Sequence, residues 1–115
     1  MPHLYVDNDM PKANDKGIRD RLKRSVLVLD GAAGTELQKR GMPPGVCPEE
    51  WCLRNPGITG EVHAGYVSAG ADIIYTCTFG ANEFKLGQYG INDVKGINRD
   101  LAAIARRAAG KGVLV

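Results

Sequence analysis

Residues Val26 to Thr35 read Val-Leu-Val-Leu-Asp-Gly-Ala-Ala-Gly-Thr. This stretch constrains the fold more than any other. Four apolar, mostly branched residues run without alternation, the pattern of a buried parallel strand. The run ends at Asp30, a carboxylate that is costly to bury without a partner. Gly31 and Gly34 let the backbone turn sharply and come close to something small. Thr35 suits the N-cap of a helix over Glu36–Arg40. A strand that ends in an acid, a glycine turn and a helix start belongs to the α/β class, where ligands bind beyond the carboxyl ends of the strands.

The totals narrow the choices. At 115 residues the chain holds at most one ordinary domain. Its 15 basic and 13 acidic residues give a net charge of +2, too even for a nucleic-acid or polyanion partner. No apolar run approaches the ~20 residues that cross a bilayer, so no membrane association is expected. Met1 to Lys16 lacks the apolar core of a signal peptide. Three cysteines are an odd number without the density of a disulfide framework, which points to a reduced, cytoplasmic setting.

Residues 1–14 read as a disordered lead-in and residues 15–115 as the folded part. Asp15 to Arg24 reads as a short helix capped by Asp15, with Ile18 and Leu22 four apart. It either covers the bottom of a barrel or stands as a solvated charged helix. The first strand is Val26–Leu29 and the helix after it ends at Gly41. Met42 to Asn55, with three prolines, reads as a long irregular loop. Pro56 opens a helix to about Ser68, which three glycines weaken by up to ~1 kcal/mol each relative to alanine. Gly70 is its natural C-cap. Asp72 to Thr78 is the second strand, followed by a turn at Phe79-Gly80-Ala81-Asn82 and a short helix over Asn82–Gln88. Asn92 to Ala109 carries the best helical pattern, with Val94, Ile97, Leu101, Ile104 and Ala108 on one face. Val113-Leu114-Val115 begins a third strand. The β-α-β-α-β order predicts parallel pairing with right-handed crossovers.

The segment Asp30-Gly31-Ala32-Ala33-Gly34-Thr35-Glu36-Leu37-Gln38-Lys39-Arg40-Gly41 resembles the opening of the homocysteine S-methyltransferase family. That family includes the homocysteine module of cobalamin-dependent methionine synthase and the betaine–homocysteine methyltransferases. A second block, Ala69-Gly70-Ala71-Asp72-Ile73-Ile74-Tyr75-Thr76-Cys77-Thr78-Phe79-Gly80-Ala81-Asn82, resembles the same family at its second strand. Asn55-Pro56, His63 and Tyr66 are similar to its intervening helix, and Gly90-Ile91 and Ile97-Asn98-Arg99 to the next. The resemblance runs over roughly residues 25–115. It implies a (β/α)₈ TIM barrel, typically ~250 residues, of which this chain would hold two β/α units and the start of the third strand.

The resemblance also implies methyl transfer to the thiol of homocysteine, forming methionine. The thiolate is the nucleophile, and in the family a zinc ion held by cysteines of later strands activates it. Those ligands are absent from this chain, so the fragment alone is expected to be inactive. Cobalamin is the implied methyl carrier if the cobalamin-type members are the nearer ones, with the rest of the barrel and cobalamin or folate modules as partners. At matching positions Asp30 would accept the substrate ammonium, the N–H groups of Gly31 and Ala32 would meet its carboxylate, and Thr76 would contact substrate.

Asp30 could instead cap the turn that follows it, and Thr76 could be a residue of plain β-propensity. Strand alternation puts Val26, Val28 and Asp30 on one face; if Asp30 points to the mouth of the implied barrel, the two valines point into it. Ala33 stands where the family commonly has methionine, and Cys77 where it has asparagine. Cys47, Cys52 and Cys77 have no structural-zinc spacing and read as free thiols. His3 reads as a tail residue and His63 as a helix-surface residue. Two other readings remain open. One is a non-enzymatic β/α fragment that self-associates or docks with the rest of a barrel. The other is a phosphate-binding α/β protein built on the Gly31–Thr35 turn, which lacks a P-loop lysine.

Overall fold

A computed structural model describes residues 17–115. The 1–14 lead-in, His3 and the Asp15 cap lie outside them. Six helices appear in the order α1 Ile18–Leu22, α2 Gly34–Lys39, α3 Pro48–Arg54, α4 Pro56–Ser68, α5 Glu83–Gly87 and α6 Val94–Ala109.

The three expected strands are present only as extended segments joined by single parallel bridges, Leu29 to Ile73 and Ile73 to Leu114. The middle segment therefore lies between the other two, one of the parallel arrangements a β-α-β-α-β order allows. The pairing rests on Asp30 N–H to Ile73 O (2.9 Å), Ile74 N–H to Leu114 O (2.9 Å) and Leu114 N–H to Asp72 O (2.9 Å). Two carboxylates extend it. Asp72 Oδ2 accepts from Val28 N–H at 2.9 Å below the bridge, and Asp30 Oδ2 accepts from Tyr75 N–H at 3.1 Å above it.

The reading of Val26–Leu29 as a buried strand is corrected. Val26 is 87% exposed and Val28 55% exposed, because no described residue covers the outer face of the segments. The inner face is covered: Ile74 is buried with Ala105 and Ala109 of α6 and packs against Tyr66 and Val67 of α4. Tyr75, its neighbour, faces outward, as the period of an extended chain demands.

The main core lies among the helices. α4 packs on α6, α3 packs on both, and α2 packs on α4. Leu37, Cys52, Val62, Leu86, Ile97, Leu101 and Ile104 form its centre. The α6 face follows the sequence pattern, and Asp93 caps its start by accepting from Gly96 N–H at 3.0 Å. Asn82 does the same for α5, accepting from Lys85 N–H at 2.9 Å.

Two helix assignments change. α3 occupies much of what reads as an irregular loop. Pro48 sits at its first turn, Glu49 and Glu50 follow, and Arg54 stands in its last turn, so this proline opens a helix and the charges match its dipole. α2 starts at Gly34 with Ala33 at its N-cap and no side-chain cap, so Thr35 does not cap it. α1 leaves Ile18 and Leu22 exposed. It is held through Arg21, which donates to Gly112 O at 2.8 Å and lies 3.7 Å from the Asp72 carboxylate.

Candidate functional site

A cleft of about 310 Å³ opens at the carboxyl ends of the first and second segments. Asp30, Gly31, Ala33, His63, Tyr66 and Thr76 line it, with Tyr75, Cys77, Thr78 and Phe79 completing its wall. The structure therefore gathers three of the four expected substrate residues: Asp30, Gly31 and Thr76. Ala32 does not line the cleft; its carbonyl accepts the Tyr66 hydroxyl at 2.7 Å.

Asp30 divides its carboxylate. Oδ2 is held by Tyr75 N–H. Oδ1 is buried and has no hydrogen-bond partner among the described residues. A buried carboxylate oxygen without a donor is destabilising, so it is a ready acceptor for a ligand donor. The Gly31 and Ala32 N–H groups meet no backbone acceptor among the described residues. Gly31 lies close to Tyr66: an added Cβ would stand 3.1 Å from Tyr66 Oη and 3.2 Å from Cε1, so the ring would have to give way slightly. At Gly34 a Cβ would meet open space.

Thr76 and Thr78 share a 2.6 Å hydroxyl hydrogen bond. Between them Cys77 adopts φ +58°, the one non-glycine residue with positive φ among the described residues. The turn after it is held from two sides. Glu49 of α3, buried, accepts from Gly80 N–H at 2.7 Å, and Asn98 of α6 donates to Ala81 O at 2.8 Å.

The placement of His63 on the helix surface is corrected. It is 1% exposed, because α4 turns Val62, His63 and Tyr66 toward the cleft. Its Nε2 lies 4.0 Å from Cys77 Sγ. Burial lowers its pKa, with Asp30 opposing in part, so the imidazole is neutral at pH 7. His63, Tyr66 and Thr78 were not singled out as site residues from sequence. The signal available was the three-residue spacing of His63 and Tyr66 on one helix.

The three cysteines are free thiols. Cys47 is buried and its pKa is raised, chiefly by that burial. Cys77 packs against the core cluster that includes Cys52 of α3. The influence of the Cys77 thiol, helped by Thr59, holds Cys52 below a thiol's ordinary range, and the Cys52 thiol together with burial pushes Cys77 well above it. Among the described residues no three His, Cys, Asp or Glu side chains come together to hold a metal ion. No helix among them is long and apolar enough to cross a membrane.

The arrangement is a half-open cleft with one free anionic acceptor, free backbone donors and a thiol-bearing floor, suited to a small zwitterionic ligand. The family description for homocysteine S-methyltransferase matches residues 27–115, and the chain belongs to that family. It is 38% identical over 116 aligned positions to the methionine synthase of Mycobacterium tuberculosis, covering 93% of this chain and 9% of that protein. It is 32% identical over 108 positions to betaine–homocysteine S-methyltransferase 1 of Pongo abelii, covering 88% of this chain and 27% of that protein. The Sus scrofa counterpart matches at the same identity, with 39% of its length covered. The chain thus spans well under half of the curated relatives it matches.

Proposed function

We propose that residues 17–115 are the part of a homocysteine S-methyltransferase that grips the amino-acid end of homocysteine, as the opening β/α units of a (β/α)₈ barrel. One observation carries this reading: the buried, unpartnered Oδ1 of Asp30, a residue that lines the cleft. The substrate ammonium supplies the missing donor, and the Gly31 N–H group supplies a donor for its carboxylate. The bridges of a single parallel order, with the cleft at their carboxyl ends, support the barrel reading.

The family likeness implies a zinc ion on the substrate thiol and, in methionine-synthase-like members, cobalamin as methyl carrier. The described residues do not fit a zinc ion, since no three donors meet. The thiol chemistry is therefore not assigned to them. The rest of a barrel and the methyl-donor modules are the partners this reading calls for. The 115 residues alone are expected to bind homocysteine without methylating it; turnover that survives repurification would overturn that expectation.

Calorimetry tests the binding. Asp30→Asn removes a charge-assisted bond of about 1.5–3 kcal/mol, so homocysteine affinity should fall by roughly 10- to 150-fold. 4-Mercaptobutanoate, which lacks the amino group, should bind as weakly to the unaltered chain. Equal affinity for the two thiols would refute the ammonium role of Asp30.

A second reading is favoured by the bare outer face, where Val26, Val28, Leu29 and Tyr75 are exposed. Apolar extended segments with open edges invite pairing, so the isolated chain would self-associate through them. Light scattering that gives a monomer with a single cooperative unfolding transition would exclude it.

A further inference from the structure

We infer that Tyr66 is a positioning residue of the cleft: its hydroxyl holds the turn at Gly31–Ala33 in the orientation that offers backbone N–H groups to the carboxylate of an amino-acid ligand. The inference rests on the reading of the cleft as an aminothiol site. It names the residue that lets the site read the carboxylate as well as the ammonium.

The contacts are direct. Tyr66 Oη donates to Ala32 O at 2.7 Å. The ring lies against Gly31, where an added Cβ would stand 3.1 Å from Oη and 3.2 Å from Cε1. The Ala32 carbonyl and the Ala33 N–H belong to one planar trans peptide and point opposite ways. A partner that fixes the carbonyl therefore also aims the N–H. Gly31, Ala33 and Tyr66 all line the cleft, and neither the Gly31 nor the Ala33 N–H meets a backbone acceptor among the described residues. No side chain caps α2, which starts at Gly34, so the turn takes its anchor from α4 instead.

That anchor is stiff. Tyr66 packs against both core clusters, the one that includes Leu101 and the one that includes Ile74. Its own carbonyl accepts from Ala71 N–H at 3.0 Å, just before the second segment. A tyrosine ring turns about only two side-chain torsions, so packing the ring and holding its backbone fix the hydroxyl. Asp30 and the turn are then referred to one frame. Asp30 is held by Tyr75 N–H of the second segment, and the turn by Tyr66 of the helix that leads into that segment. An anionic acceptor and backbone donors at a fixed separation favour a ligand with an ammonium and a carboxylate on one carbon. A tyrosine with a structural duty alone would change stability and leave that choice untouched.

The test is calorimetric, on the full 115-residue chain and its Tyr66→Phe variant, which keeps the ring and loses the hydroxyl. L-Homocysteine is compared with 3-aminopropane-1-thiol, the same molecule with hydrogen in place of the carboxylate. Homocysteine affinity should fall about 3- to 10-fold in Tyr66→Phe, while the aminothiol binds both proteins equally. Gly31→Ala crowds the same ring and should show the same selective loss, so it decides the matter if Tyr66→Phe does not fold. Equal losses for the two ligands, or no loss for either, would overturn the positioning role. Equal affinity of the two ligands for the unaltered chain would also overturn it, and would leave the ammonium role of Asp30 standing. Failure of both ligands to bind the unaltered chain would overturn the aminothiol reading and the positioning role together.

Discussion

Replacing Gly80 by alanine would place a methyl carbon 2.8 Å from Glu49 Oε1 and 3.3 Å from its Cδ. Real carbon atoms do not sit that close, so the carboxylate must move. Glu49 is 6% exposed and its Oε1 is what holds Gly80 N–H at 2.7 Å. Moving it forfeits that charged hydrogen bond, about 1.5–3 kcal/mol. Gly80 is not among the positive-φ glycines, so its backbone accepts alanine and the unfolded chain loses entropy, a gain of about 0.4–1 kcal/mol. Gly80→Ala should therefore destabilise by roughly 1–2 kcal/mol. In a Glu49→Ala background the clash and the bond are both gone already, and the same change should stabilise by about 0.4–1 kcal/mol. Urea denaturation of the four proteins of this cycle measures the coupling, expected near 2 kcal/mol. Effects that add to within about 0.5 kcal/mol would show that Glu49 does not hold the turn.

Three further outcomes are expected. Burial lowers the folded pKa of His63 from its ordinary 6.5. The neutral ring's contribution is thus complete above pH 6.5 and is lost as pH falls from there toward the lowered folded value. The melting temperature should decline across this window, and His63→Gln should flatten the decline; an unchanged profile would refute the assignment. Cys77 holds φ +58° without being glycine, so Cys77→Asn, which tolerates the left-handed region, should raise stability by about 0.5–1 kcal/mol. Phe79 is 100% exposed at the cleft edge. Phe79→Ala should leave urea stability within about 0.5 kcal/mol while weakening homocysteine binding, and equal binding by calorimetry would remove it from the site.

The elements that could be read from sequence were those whose pattern matches their packing. α6 buries Ile97, Leu101 and Ile104 at the expected spacing, and α4 runs from Pro56 to Ser68. α3 is not legible because three prolines within Met42–Asn55 give that stretch the look of a loop, although Pro48 followed by Glu49 and Glu50 is a helix opening. The strands were overstated because an apolar run shows what a segment can bury, and here nothing described covers Val26 and Val28. At the site, Asp30 was legible from its position at the end of that run. His63 was less so: its three-residue spacing from Tyr66 puts the two on one helix face, but which face turns to the cleft is set only when α4 packs.

The two aspartates that bracket the first and second segments bind ligand and sheet to one equilibrium. Asp72 accepts from Val28 and Asp30 accepts from Tyr75, so each side chain does for the pairing what a further residue of backbone would do. Asp30 lines the cleft, and its other oxygen is buried without a partner among the described residues. A molecule that holds this oxygen also holds the register of the two segments. By linkage, whatever frays that register weakens the ligand's grip in equal measure. Slowed amide exchange at Tyr75 would then report occupancy of a cleft its own side chain helps to wall.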